Sequence, residues 1–310
     1  MTDTATATPT ATAAPAKDSQ AKLSAFATSV IEVLDQLRKS GPMQNIVFPP
    51  YPELLARLQT ALAETEPDLN EVSRIASSDV GMSLALLKAA NSPLYAAGQP
   101  VQTIGQALNR LGLDQTAAVM TGFLAQRAIK VNSPHLARFW ERAGKRATAL
   151  AYLAQKLPGM SPDIAYTYGL FCHVGMAVMV QSCKGYTGTL VEAMARKDRS
   201  FVATENANHK TDHAVVGALV ARAWRMHPLV IASIRLHHDL GSLGESRIDS
   251  DIHNLLAAGL IADHLMREHE GLEPDADWKT YCEAALAWLQ ITADELAGWQ
   301  VELGDFLDQA

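Results

Sequence analysis

Apolar residues recur along the chain at three- and four-residue spacing, one helix face after another, with no sustained alternation of the kind a half-buried strand needs. From Leu23 to Leu37 one such face carries Phe26, Val30, Val33, Leu34 and Leu37, and Gly41-Pro42 stops it. Phe48-Pro49-Pro50-Tyr51-Pro52 is a proline-fixed extended entry. Pro52 then serves as a first-turn residue for a helix through Leu54, Leu55, Leu58 and Leu62. Asp68 with Glu71 makes a capping-box-like start for a short helix holding Val72 and Ile75. Asp79 caps a helix from Met82 to Ala90 that stops near Asn91-Ser92-Pro93. Thr103 with Gln106 opens the next, through Ile104, Ala107, Leu108 and Leu111 to Gly112. The pattern predicts further helices over 114–130, 135–156, 162–183, 188–198, 212–225 and 228–239. After the break at Gly241-Ser242-Leu243-Gly244 it predicts helices over 251–269 and 276–290 and one capped by Thr292 with Glu295. The predicted fold class is all-α.

Composition narrows this. Of the 310 residues 48% are hydrophobic, enough for one large core or two moderate ones. Residues 1–22 are the exception: twelve of the first sixteen are Thr or Ala, which predicts a disordered tail. No run is expected to reach the roughly 18 apolar residues of a membrane span, and no basic-then-apolar leader is visible. Cys172, Cys183 and Cys282 form no CxxC pair, which argues against a disulfide framework or structural zinc and for a reducing, cytoplasmic setting. The net charge of −7 is uneven, since from Glu245 to Ala310 there are 15 acids and 3 bases. That segment is net −12 and the remainder about +5, a balance that disfavours general nucleic-acid binding but leaves room for a local basic face. Fixed-period repeats, GxGxxG, GxxxxGK[ST] and GxSxG are all missing, which removes the common nucleotide-binding and hydrolase readings.

An ordered series of short motifs is more specific. Asn91-Ser92-Pro93-Leu94-Tyr95 is followed by Val101-Gln102-Thr103-Ile104 and Ala107-Leu108-Asn109-Arg110-Leu111-Gly112. Then come Phe139-Trp140, Gly169-Leu170-Phe171-Cys172-His173-Val174-Gly175, Glu205, His213-Ala214-Val215-Val216-Gly217-Ala218, Trp224, Pro228 and His237-His238. The series resembles the HDOD family, the HD-related output domains of bacterial signalling proteins, over about residues 46–242. The resemblance implies an all-α HDOD-like multi-helix bundle related to HD phosphohydrolases, a family regarded as largely non-catalytic and acting through protein contacts. It divides the chain into a tail over 1–22, an N-terminal helix over 23–45, the HDOD domain over 46–242 and an acidic helical extension over 243–310. No attached receiver or catalytic domain is apparent, so the chain reads as a stand-alone version.

The resemblance also assigns positions. An HD phosphohydrolase holds divalent metal with a first His, a His-Asp pair and a final Asp, and the metal acidifies a bound water. Here the first-His position falls near Arg142, whose guanidinium has no lone pair to offer. The pair reads His173-Val174, and valine cannot ligate. Asp263 is a loose match to the final Asp. His213, His237 and His238 match positions that serve further metals in the sister HD-GYP branch. The expectation is a degenerate site with no cofactor and no physiological metal. His173 is expected to be a core histidine hydrogen-bonded to a carbonyl or a neighbouring side chain. His173, His213, His237 and His238 are expected to form a polar cluster, with Glu205 or Asp239 as partner, that could hold a borderline metal adventitiously.

Arg127, Lys130, Arg138, Arg142, Lys145 and Arg146 make a basic stretch over 127–146 opposed by Glu141 alone. Arg138, Arg142, Lys145 and Arg146 would suit an acidic partner or the phosphates of a nucleotide. The plainer reading is a solvated helix face paired with the acidic extension. Trp140 and Trp224 are expected to be buried anchors, with Trp288 and Trp299 docking the extra helices. Three functions follow: a non-enzymatic regulator contacting other signalling proteins, with a homodimer open; a metal-dependent phosphohydrolase acting on a nucleotide or cyclic dinucleotide; and a nucleotide-sensing or nucleic-acid-binding regulator using the basic stretch. The first is preferred, and no membrane partner is expected.

Overall fold

The structure is a computed structural model that describes residues 25–39 and 41–308, so the expected tail over 1–22 lies outside the described residues. These residues form α-helices and short 3-10 turns without a strand. Helix α1 is Ala25–Leu37, with Leu34 buried and Val33 52% exposed, so Val33 lies off the packed face. Four helices follow: α2 (Glu53–Ala63), α3 (Leu69–Ser77), α4 (Val80–Ala90) and α5 (Ile104–Ala128). Asp79 and the reciprocal Thr103–Gln106 box cap α4 and α5 as their spacing predicts. Asp68 caps α3 alone, because the Glu71 side chain turns to Arg57 and Arg74 instead. Gly112 breaks α5 without ending it, at φ 75°, a conformation glycine adopts without Cβ strain. Arg110 donates to the Ala97 and Gln99 carbonyls, and Asn91 bonds both backbone groups of Val101, so the motif residues of 91–112 knit the α4–α5 connection.

The second half comprises α6 (Phe139–Lys156), α7 (Pro162–Phe171), α8 (Val174–Ser182), α9 (Tyr186–Ala195) and α10 (Phe201–His209). It continues with α11 (His213–Ala223), α12 (Pro228–Leu236), α13 (Ser250–His269), α14 (Ala276–Leu289) and α15 (Ala293–Leu307). Two features depart from the pattern. The helix expected over 162–183 is two helices broken at Cys172-His173, and α10, capped by Ser200, was not expected at all. Contrary to expectation, Pro162–Ser182 is long and apolar enough to span a bilayer, but 61% of its most apolar window is buried inside the protein.

The main core runs from α1 to α15, centred on α6, α7, α8 and α11, with Trp224, Tyr168, Tyr186 and Phe171 among its fully buried large residues. Trp140 is only half-buried and donates to the Ile129 carbonyl. A second cluster joins α1, α12, α13 and α14. Trp299 is buried against the main core, and Trp288 donates to Asn254, so both tryptophans dock the last helices onto the body. Helices α8 and α11 approach backbone to backbone: a Cβ at Gly175 would lie 2.0 Å from the His213 carbonyl oxygen. That approach sets His173, at the start of α8, beside His213, at the start of α11.

Candidate functional site

Breaks and ends of helices aim four imidazoles at one point. His173 precedes α8, His213 opens α11, and His237-His238 follow α12. One ligating nitrogen from each lies within 4.8 Å of the other three. His213 Nε2 is 3.1 Å from His237 Nε2 and 3.2 Å from His238 Nε2.

Each of these three rings is anchored through its other nitrogen. His213 Nδ1–H donates to Glu205 Oε2 at 2.7 Å, His237 Nδ1–H to the Ile234 carbonyl at 2.7 Å, and His238 Nδ1–H to Asp277 Oδ2 at 3.3 Å. Carboxylate and carbonyl oxygens only accept, so the proton sits on Nδ1 in each ring. In the neutral rings the Nε2 lone pairs therefore face one another. Glu205 is fully buried, and its other oxygen accepts the Tyr186 hydroxyl. Of the two expected partners, Glu205 serves the cluster and Asp239, exposed beside it, does not. Asp277 of α14 takes that place and was not foreseen. His173 makes no side-chain hydrogen bond among the described residues, contrary to expectation, and its ring is held by packing 5.0 Å from that of His237.

The arginines are distributed differently from the motif reading. Arg142 pairs with Glu270 at 2.9 Å. One helical turn on, Arg146 is buried beside the histidines and directs both Nε and a terminal nitrogen at Asp263 Oδ1, at 2.7 and 2.6 Å. Both arginines line a cleft of about 190 Å³ together with His173, His237, His238, Asp263 and Asp277. Val174 is fully buried in the core. Five of the six residues of the basic stretch are ion-paired: Arg127 with Asp79, Arg138 with Glu141 and Glu270, Lys145 with Glu141, and Arg142 and Arg146 as above, while the Arg127 and Arg138 side chains and Lys130 stay exposed. Arg138, Arg142 and Arg146 meet Glu270 and Asp263 of the acidic C-terminal segment.

Burial, then the Arg146 guanidinium, pushes His173 well below its ordinary value, and burial, then His238, does the same to His237. Burial drives the Cys172 thiol up to about 12, against the pull of Arg146, so it stays protonated. Both depressed histidines remain neutral in the fold while the unfolded chain takes up protons below its ordinary 6.5. Stability is therefore full above that value and falls as pH drops, by up to about 1.4 kcal/mol per pH unit for each ring. In chelator-treated protein, the urea midpoint should fall between pH 7.5 and 5.5, and an unchanged midpoint would contradict the assignment.

Comparison with known proteins places this geometry. The chain is 26% identical over 195 residues to an uncharacterized protein of Treponema pallidum (strain Nichols). That match covers 62% of this chain and 38% of the relative, so this chain spans little more than a third of the relative's length. The HDOD domain protein of unknown function from Geobacter sulfurreducens superposes with a TM-score of 0.67 at 18% identity, covering 91% of this chain and 98% of that one. A provisionally named signal transduction protein from Marinobacter aquaeolei VT8 gives 0.66 at 20% identity, covering 91% of this chain and 62% of that one. These likenesses show a shared fold. The HDOD domain model itself matches residues 48–240, from the extended entry before α2 to the turn that carries His237 and His238, and the chain belongs to the HDOD family.

Proposed function

We propose that the chain is a non-catalytic bacterial signalling module that works in the cytoplasm through contacts with other proteins. The Arg146–Asp263 ion pair carries this reading. Asp263, the loose match to the acid that an HD phosphohydrolase would turn to its metal, is held here by a buried guanidinium, a permanent cation. Val174 offers no ligand, and Arg142 is committed to Glu270. The cleft, at about 190 Å³, is smaller than the roughly 300–1,000 Å³ typical of small-molecule sites. Exposed aliphatic pairs support contact as the mode of action: Val80 (86%) and Leu84 (65%) lie one turn apart on α4, and Val191 and Met194 lie together on α9.

The test is hydrolysis. With Mn²⁺, Fe²⁺ or Zn²⁺ supplied, the purified chain should cleave a nitrophenyl phosphodiester and cyclic dinucleotides no faster than its His173→Ala variant. Wild-type turnover that His173→Ala abolishes would overturn the reading in favour of the phosphohydrolase, which the convergence of four histidines favours. Partners recovered with the wild-type chain should be lost on Val80→Glu with Leu84→Glu if the α4 face makes the contact.

A further inference from the structure

The four-histidine cluster has the internal order of a coordination site, although the HD ligand set beside it is broken. We propose that His213, His237 and His238, with His173 as fourth ligand, bind a single divalent cation of the zinc class. The three imidazoles come from two helix ends, the start of α11 and the end of α12, each fixed through Nδ1–H to an oxygen, so that Nε2 is the free donor in all three. Anchoring of this kind sets both tautomer and ring direction in histidine metal sites. Neutral nitrogen donors suit borderline metals such as zinc, cobalt, nickel or iron.

The spacing agrees. With metal–nitrogen bonds of about 2.1 Å, ligand nitrogens around one ion lie about 3.0–3.4 Å apart. His213 Nε2 lies 3.1 and 3.2 Å from its two neighbours. Facing lone pairs repel at that distance unless something positive lies between them. A proton on His213 Nε2 has one N–H to offer two acceptors, whereas a cation serves every ring at once.

The charge balance points the same way. Neither Glu205 nor Asp277 is paired with a lysine or arginine among the described residues, and Glu205 is fully buried. A buried carboxylate without a cationic partner is costly. Arg146, which lines the same cleft, is paired with Asp263. The cleft reaches His173, His237 and His238 and provides the entry path, with His213 as the inner ligand. Because Asp277 belongs to α14, filling the site would also fix the seat of the C-terminal extension on the domain.

The test uses tag-free full-length chain, stripped with chelator and titrated with Co²⁺ and then Zn²⁺. One equivalent of Co²⁺ should bind, with the intense visible absorption of a four-coordinate nitrogen site, and Zn²⁺ should bleach it. A hundredfold excess of Zn²⁺ over its dissociation constant should raise the melting temperature by about 5 °C or more. Helix content by circular dichroism checks that the variants fold. His238→Ala should weaken binding at least tenfold and remove the cobalt bands. Glu205→Gln should weaken binding by about ten- to a hundredfold through the freed His213 ring. His135→Ala, exposed and part of neither the cluster nor the cleft, should change nothing. No stoichiometric binding, or binding that His238→Ala leaves intact, would overturn the proposal, the latter as an adventitious ion only. The proposal is independent of the non-catalytic reading: absent metal leaves that reading standing, and turnover would sink it while leaving the site.

Discussion

Gly175→Ala should cost about 3 kcal/mol of folding free energy, at the upper end of the penalty for overpacking. The added methyl would lie 2.0 Å from the His213 carbonyl oxygen and 2.7 Å from the Gly217 backbone nitrogen. Both obstacles are backbone atoms of α11, so no side chain can turn aside, and α8 and α11 would have to separate along their shared length. Neighbouring glycines supply the contrast. A methyl at Gly217 meets the Gly175 nitrogen and Ile234 Cγ2 at 3.2 Å, which should cost about 1–2 kcal/mol. A methyl at Gly144, inside α6, meets nothing within 4 Å, and there alanine should stabilise by about 0.5–1 kcal/mol through helix propensity. Urea unfolding of the three variants reads the order directly. A loss under about 1 kcal/mol for Gly175→Ala would mean that the helix contact is loose, and with it the placement of His173 against His213.

Local signals in the sequence were largely sufficient for local structure. Asp79, Thr103 with Gln106, and Thr292 with Glu295 cap their helices because a cap needs only the next three residues. The break at Cys172-His173 had no such signal. Apolar residues continue on both sides of it, and its cause is tertiary, since α8 must redirect to bring Gly175 against α11. Helix α10 escaped because Phe201–His209 is largely polar and, apart from the partly buried Phe201, its inward residues are Thr204 and Glu205. The same face hid the role of Glu205, whose partner His213 lies past the turn that follows α10.

The site was legible as a set of residues more than as an arrangement. His173, His213, His237 and His238 converge as the motif order suggested. Arg142 and Arg146 lie one turn apart on the same helix face, and sequence could not say which of them reaches the histidines. Asp277, 39 residues beyond His238, could be found only by folding the C-terminal extension back over the cleft. Val174 reads in the structure as core, fully buried, which explains a valine there without reference to any ligand position.

Asp263→Ala should destabilise the protein by about 3 kcal/mol, because it strands the Arg146 guanidinium in a buried position without its counter-charge. Complete burial of both partners would raise the figure, but the Asp263 side chain keeps 31% of its surface in solvent. Arg146→Met should cost less, about 1–2 kcal/mol, since the carboxylate it leaves behind can hydrate through the cleft. The double variant Arg146→Met with Asp263→Ala should cost no more than about 2 kcal/mol, since it removes both members of the pair and leaves no charge stranded. The difference is a coupling of about 2 kcal/mol or more, measurable as a double-mutant cycle in urea. The same variants carry a second readout. Arg146 is the largest charge acting to lower His173, so Arg146→Met should move the His173 imidazole titration, followed by NMR, to higher pH. Were Asp263→Ala to cost under about 0.5 kcal/mol, the pair would be behaving as a solvated surface contact. Asp263 would then be free to turn toward the cleft, and the main physical obstacle to HD-type metal chemistry in this chain would be gone.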